Sequence, residues 1–267
     1  MSSAAGRSVR LSIEKIVYPG RRLARSEGRV FFTDEGLPGE IVQAEVIAER
    51  SSYVEARTTA VLEASSSRLP ARCGHYLACG SYQPLPYAGQ MELKKAQAGE
   101  LFGKVCPDLA ANVEIVPSPR EWRYRNKIRF ALVGSGKEAH LAYHVPGSRE
   151  AFVAADEGCF LASEKSAEIS AAVLEIVRRT GISGLAEIEI RESLAEGTVL
   201  LNIFWKTSSG PAELQAITDG LLSSSSPTGC VSWIPRKNGS FSPRIAWGSD
   251  ILTERMDGIL FEIGAGS

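Results

Sequence analysis

Apolar and polar residues alternate in short runs from Val9 to about Glu63, the period of half-buried β-strands. Leu11, Ile13 and Ile16 open the first run, and Gly28-Arg29-Val30-Phe31-Phe32 reads as a hairpin return. Ile41 to Ala48 and Ala56 to Leu62 supply further strands, with strong turn chemistry at Gly36-Leu37-Pro38-Gly39-Glu40. Short strands in so little chain predict a small closed barrel of the OB type, a frequent nucleic-acid platform. Ala64 to Pro70, rich in serine, reads as a linker.

Beyond the linker the period changes. Leu93, Ala96, Leu101, Phe102 and Val105 fall on one face of a predicted helix over Gln90 to Val105. Ile169, Val173, Ile176 and Val177 do the same over Ser163 to Arg179, and Ala212 to Leu222 reads as another helix. Lys127 to Val133, Ala186 to Arg191, Val199 to Trp205 and Ile259 to Ile263 read as strands, in a tail otherwise irregular from Ser249. Ser223 to Ser226 is the low-complexity tract. The fold class expected is therefore β plus α+β: a barrel over residues 1–66 and a mixed α+β domain over 67–267.

Composition narrows the function. With 267 residues, 44% hydrophobic and 23% charged, the chain has the make-up of a folded globular protein. No run reaches the ~20 apolar residues of a membrane span and the start is polar, so the expectation is a cytoplasmic monomer without membrane contact. A net charge of −1 by itself speaks against a generic nucleic-acid sponge, but charge is unevenly placed. Arg120, Arg123, Arg125, Lys127 and Arg129 crowd one stretch, interleaved with Trp122, Tyr124 and Phe130 and opposed by Glu121 alone. Cations with aromatics suit phosphate neutralisation and base stacking; a solvated strand of alternating charge fits the same pattern.

Five cysteines without a regular framework argue for thiols or metal ligands rather than disulfides. Cys73 and Cys79 lie in a Gly-rich turn ahead of a helix, a spacing used to hold metals. Cys106 and Cys230 lack partner spacing and read as structural thiols. His140 and His144 are four apart in a strand-like stretch, too far apart for close chelation. Glu262-Ile263-Gly264-Ala265-Gly266 imitates the start of a nucleotide-binding sheet but has no following helix.

Two blocks carry a family resemblance. Cys73, Cys79 and Gly80-Ser81-Tyr82-Gln83, with Leu85-Pro86-Tyr87 and Gln90-Met91-Glu92-Leu93-Lys94, resemble the cluster segment of the TRAM-domain RNA (uracil-5-)-methyltransferases. Tyr124-Arg125-Asn126-Lys127 resembles that family's Tyr-Arg-Asn-Lys signature, and Tyr18-Pro19-Gly20 with Leu37-Pro38-Gly39-Glu40 resembles a TRAM domain, departing at Arg21-Arg22-Leu23. The resemblance implies an RNA partner, rRNA or tRNA, contacted by Arg123, Tyr124, Arg125, Asn126, Lys127 and Arg129. It implies a [4Fe–4S] cluster on Cys73, Cys79 and distant Cys159, with Tyr82 standing where the family has its third cysteine. It also implies S-adenosyl-L-methionine as the family's methyl donor. The expectation drawn is that this chain is the RNA-binding N-terminal and central part only, stops before the cofactor domain, binds no S-adenosylmethionine and carries no catalytic residue. A stand-alone RNA-binding protein and an iron–sulfur electron-transfer or sensor protein are the alternatives.

Overall fold

Five short strands close on themselves: β1 (Ser8–Val17), β2 (Arg21–Ser26), β3 (Arg29–Thr33), β4 (Ile41–Glu49) and β5 (Val54–Glu63), in the order β1-β2-β3-β5-β4. Alternation does the work, turning Leu11, Ile13, Ala24, Phe31, Val42, Ala44, Val46, Val54 and Ala56 into one core. Between β2 and β3, Glu27 and Gly28 both have positive φ (50° and 75°), the requirement of a tight two-residue hairpin turn. This computed structural model describes residues 6–148, 150–207, 210–222 and 227–267; the Ser223–Ser226 tract lies outside them.

The chain divides into two compact units, residues up to Arg72 with Cys79–Pro119, and Cys73–Ala78 with Arg120–Ser267. In the first unit two polar groups are buried on purpose. Arg22 is 1% exposed and donates to the carbonyls of Gly36, Gly20 and Ser81, so the place where the chain departs from the TRAM pattern is a structural strut. Glu40, also fully buried, accepts from the backbone N–H groups of Leu37 (2.7 Å) and Ser65 (3.0 Å) and from both ends of the Arg68 guanidinium (2.8 and 2.9 Å). The serine-rich linker is therefore anchored rather than loose.

Helices α1 (Tyr76–Cys79), α2 (Tyr87–Phe102) and α3 (Pro107–Ala111) follow. The apolar face predicted for α2 is mostly in solvent, with Leu101 50% and Phe102 43% exposed. What α2 buries is Gln97, whose amide donates to the Ile16 carbonyl at 2.9 Å. Periodicity misread this helix because a polar anchor, not an apolar stripe, holds it.

The second unit is a seven-stranded sheet with β6 (Lys127–Val133), β7 (His140–His144), β8 (Phe152–Ala154), β9 (Leu185–Glu192), β10 (Val199–Trp205), β11 (Gly229–Pro235) and β12 (Phe241–Gly248), in the order β12-β11-β10-β9-β6-β7-β8. Neighbours are antiparallel except β10 and β11, which are parallel and joined through α5 (Gly210–Leu222). Helix α4 (Glu164–Thr180) starts at a Ser163 cap accepting from Ser166 N–H and ends at Gly181 in the left-handed region. All of β10 is buried, because both sheet faces are covered. Gly184 and Glu213 lie beside Trp205 on one face, while Leu200 and Val231 on the other meet Leu252 of a hairpin, β13 (Ile251–Met256) and β14 (Ile259–Gly264). The tail expected to be irregular is thus an ordered hairpin. No helix among the described residues is long and apolar enough to cross a membrane.

Burial opposes the charge on Glu40, but the Arg68 side chain and two backbone donors outweigh it and hold its carboxyl below the usual range. A depressed carboxyl stabilises the fold above its ordinary titration range, and that contribution is lost as pH falls through the depressed value. Arg68→Ala strands a buried anion and should cost about 3–5 kcal/mol at neutral pH, with a smaller deficit in acid; urea melts at two pH values measure both.

Candidate functional site

Strand pairing decides what the basic stripe presents. In the β6–β9 register Lys127 faces Arg191 and Arg129 faces Glu189, and in the β9–β10 register Glu189 faces Asn202. Glu189 is 5% exposed, and Lys127 Nζ (3.2 Å), Arg129 (3.8 Å) and Asn202 Nδ2 (3.4 Å) converge on it. Arg129 also pairs with Glu187 and lies over the Phe204 ring, 4.3 Å from its centroid. Trp233 stacks on Phe204 and donates from Nε1 to Asn202 at 2.8 Å. The expected RNA-contact residues therefore split. Tyr124, Asn126 and Lys127 are exposed. Arg123 is turned inward, donating to the carbonyls of Cys159 and Ala162 and lying over Phe160, and Arg125 bridges in parallel to Ala162.

Beside the stripe lies an open cleft of about 510 Å³, lined by Arg120, Arg123, Ser163, Glu164, Lys165, Glu192 and Leu194. It sits at the amino end of α4, where unpaired N–H groups favour anions. Glu192, 8% exposed at its wall, accepts from Ser163 and Ser166 hydroxyls. Sequence reasoning missed Glu189, which in the chain looks like an outward residue of an alternating strand, and Glu192, which lies just past the predicted strand end at Arg191.

The cysteine segment is tighter than expected and contains a histidine that spacing analysis passed over. Within one continuous seven-residue stretch, one ligand atom each of Cys73, His75 and Cys79 lies within 4.8 Å of the others, all three residues buried. Among the described residues neither ring nitrogen of His75 has a hydrogen-bond partner; Glu157 Oε1 stands 3.5 Å from Nδ1. Cys159, buried too, is not in this group, and no cysteine forms a disulfide. These residues do not fit a [4Fe–4S] cube. Its thiolates bind separate irons and are spread apart by the cube, and four are wanted where this group offers two and an imidazole. Cys230 lies buried in β11, and desolvation pushes its thiol far above the usual range, so it is a packing residue and not a nucleophile.

No family profile matches this chain. It is 28% identical to an uncharacterized RNA methyltransferase of Clostridium tetani over 98% of its own length and 62% of the relative's. A 23S rRNA (uracil(1939)-C(5))-methyltransferase of Pseudomonas fluorescens is 34% identical over 57% of this chain and 34% of that protein. The relatives of this chain are RNA methyltransferases. Among solved structures, the Pyrococcus abyssi tRNA (uracil-54, C5)-methyltransferase in complex with S-adenosyl-L-homocysteine superposes with a TM-score of 0.62 at 20% identity, covering 96% of this chain and 59% of the enzyme. The likeness shows a shared fold. This chain thus spans about three fifths of the proteins it matches at full length.

These matches correct the expectation of a binding part that stops short of the cofactor fold. They run through nearly the whole chain, 98% and 96%, into methyltransferases. The Gly-rich tail, read as a point where the family's fold breaks off, is the end of the β13–β14 hairpin. Neither a missing S-adenosylmethionine domain nor a non-catalytic role follows from it.

Lys127 and Arg129 have a structural duty at Glu189. Replacing Arg129 by Ala should cost about 1–3 kcal/mol, since it leaves a buried carboxylate short of donors. In the Glu189→Gln background the same replacement should cost clearly less; thermal melts of the four-member cycle give the coupling.

Proposed function

We propose that this chain serves the S-adenosylmethionine-dependent methylation of uridine C5 in ribosomal or transfer RNA, as a monomer in the cytoplasm. The observation that carries the reading is similarity to an RNA methyltransferase along 98% of the chain. S-adenosylmethionine supplies the methyl group. No residue of this chain is assigned to hold it, since the cleft beside α4 is charged, with Leu194 its single apolar wall, and suits phosphates better than an adenine ring.

On this reading the barrel and the exposed residues leading into β6 engage the RNA. Tyr124, 46% exposed, stacks on a base; Asn126 reads a base edge and Lys127 meets a phosphate. Arg123 and Arg125 hold the strand entry against the segment around Cys159, and Arg129 steadies Glu189 and Phe204.

Incubation of the protein with tritiated S-adenosylmethionine and 23S rRNA or tRNA transcripts tests the activity. Label should appear as 5-methyluridine after nuclease digestion; label on another base, or on no RNA, overturns the reading. Tyr124→Ala should lose about 1–3 kcal/mol of RNA affinity with its salt dependence unchanged. Lys127→Ala should flatten the slope of log K against log salt by about 0.7 on single-stranded RNA. Filter binding across a salt series measures both.

A further inference from the structure

We propose that Cys73, His75 and Cys79 form a site for one tetrahedral metal ion of the zinc type, in place of an iron–sulfur cluster. The proposal does not depend on methyl transfer.

Distance is the first argument. Around a single tetrahedral ion, thiolates at about 2.3 Å and an imidazole nitrogen at about 2.0–2.1 Å stand roughly 3.3–3.8 Å apart. Ligand atoms gathered within 4.8 Å need only small rotamer adjustments to reach that. Opening them around a cube requires the whole turn to expand. The local backbone is suited to the smaller site: Gly74 separates Cys73 from His75, and α1 carries Cys79 one helical turn beyond His75.

The imidazole is the second and independent argument. His75 is 1% exposed, and both of its ring nitrogens lack a hydrogen-bond partner. An imidazole buried without a hydrogen-bond partner loses the bonds it makes in water, a cost that a metal–nitrogen bond removes. Outer groups are in place to orient the ligands. Glu157 accepts from Gly74 N–H at 2.8 Å and flanks His75 Nδ1, and the Gln83 amide lies 3.9 Å from Cys79 Sγ. Two thiolates and an imidazole are a donor set that favours zinc over magnesium or calcium. An exogenous ligand such as water completes the tetrahedron.

The metal-free protein, reduced and anaerobic, is titrated with Co²⁺ and then with Zn²⁺; a parallel sample is incubated with iron and sulfide. We expect one cobalt per chain with the visible spectrum of a tetrahedral thiolate site, displaced by zinc, and no stable sulfide-containing product. His75→Ala should weaken cobalt binding by at least about tenfold. His75→Cys covers the case in which the alanine variant fails to fold: it should keep one ion and shift the charge-transfer bands toward a higher sulfur count. Stoichiometric iron and acid-labile sulfide would overturn the proposal. So would an absence of tetrahedral cobalt spectrum, or a spectrum unmoved in His75→Cys.

Discussion

A single carboxylate, Glu189, organises the face of the sheet on which the chain's most suggestive charges lie. It stands in the middle of β9, between β6 and β10, and is almost wholly removed from water. A charge in that position is tolerable only when donors surround it. Lys127, Arg129 and Asn202 fill that role, and Asn202 passes the network on to Trp233. The one-residue register of β6 against β9 sets this up, since a slip by one residue would turn Lys127 and Arg129 into the core and Ile128 and Phe130 out of it.

The barrel unit solves a related problem. Arg22 and Glu40 are buried charged groups in a small β-domain, each fully supplied with partners from turns and from the linker. Such groups add little net stability beyond what a hydrophobic replacement would give. What they do is join specific segments: Arg22 ties the barrel to Ser81, and Glu40 ties the β3–β4 turn to the segment at Ser65 and Arg68. The cysteine-bearing stretch is thus entered from an anchored chain.

Within that stretch the same requirement is unmet by protein atoms alone. His75 has the burial of a core residue and the polarity of a ligand, and the thiols beside it are the natural complement. The resemblance to cluster-bearing methyltransferases directed attention to cysteines and away from the histidine between them. The geometry of the segment favours a smaller inorganic guest than a four-iron cube.

Local pattern alone determined much of this protein. Alternation marked four of the five barrel strands, β2 excepted, and β6, β9 and β10; apolar spacing marked α4; motif resemblance marked an RNA methyltransferase lineage that the relatives support. Those features depend on neighbours in sequence, so sequence carries them. Other features depend on partners distant in the chain. The sequence cannot say that Arg129 is paired to Glu187 and Glu189 some sixty residues away, that Gln97 rather than Leu101 anchors α2, or that the tail folds back as a hairpin over Leu200. Nor could it tell a cluster motif from a one-ion site, because that choice rests on distances of a few ångströms between side chains. Only the tertiary fold decides which charges are neutralised and which polar groups are buried, because desolvation and pairing are properties of place.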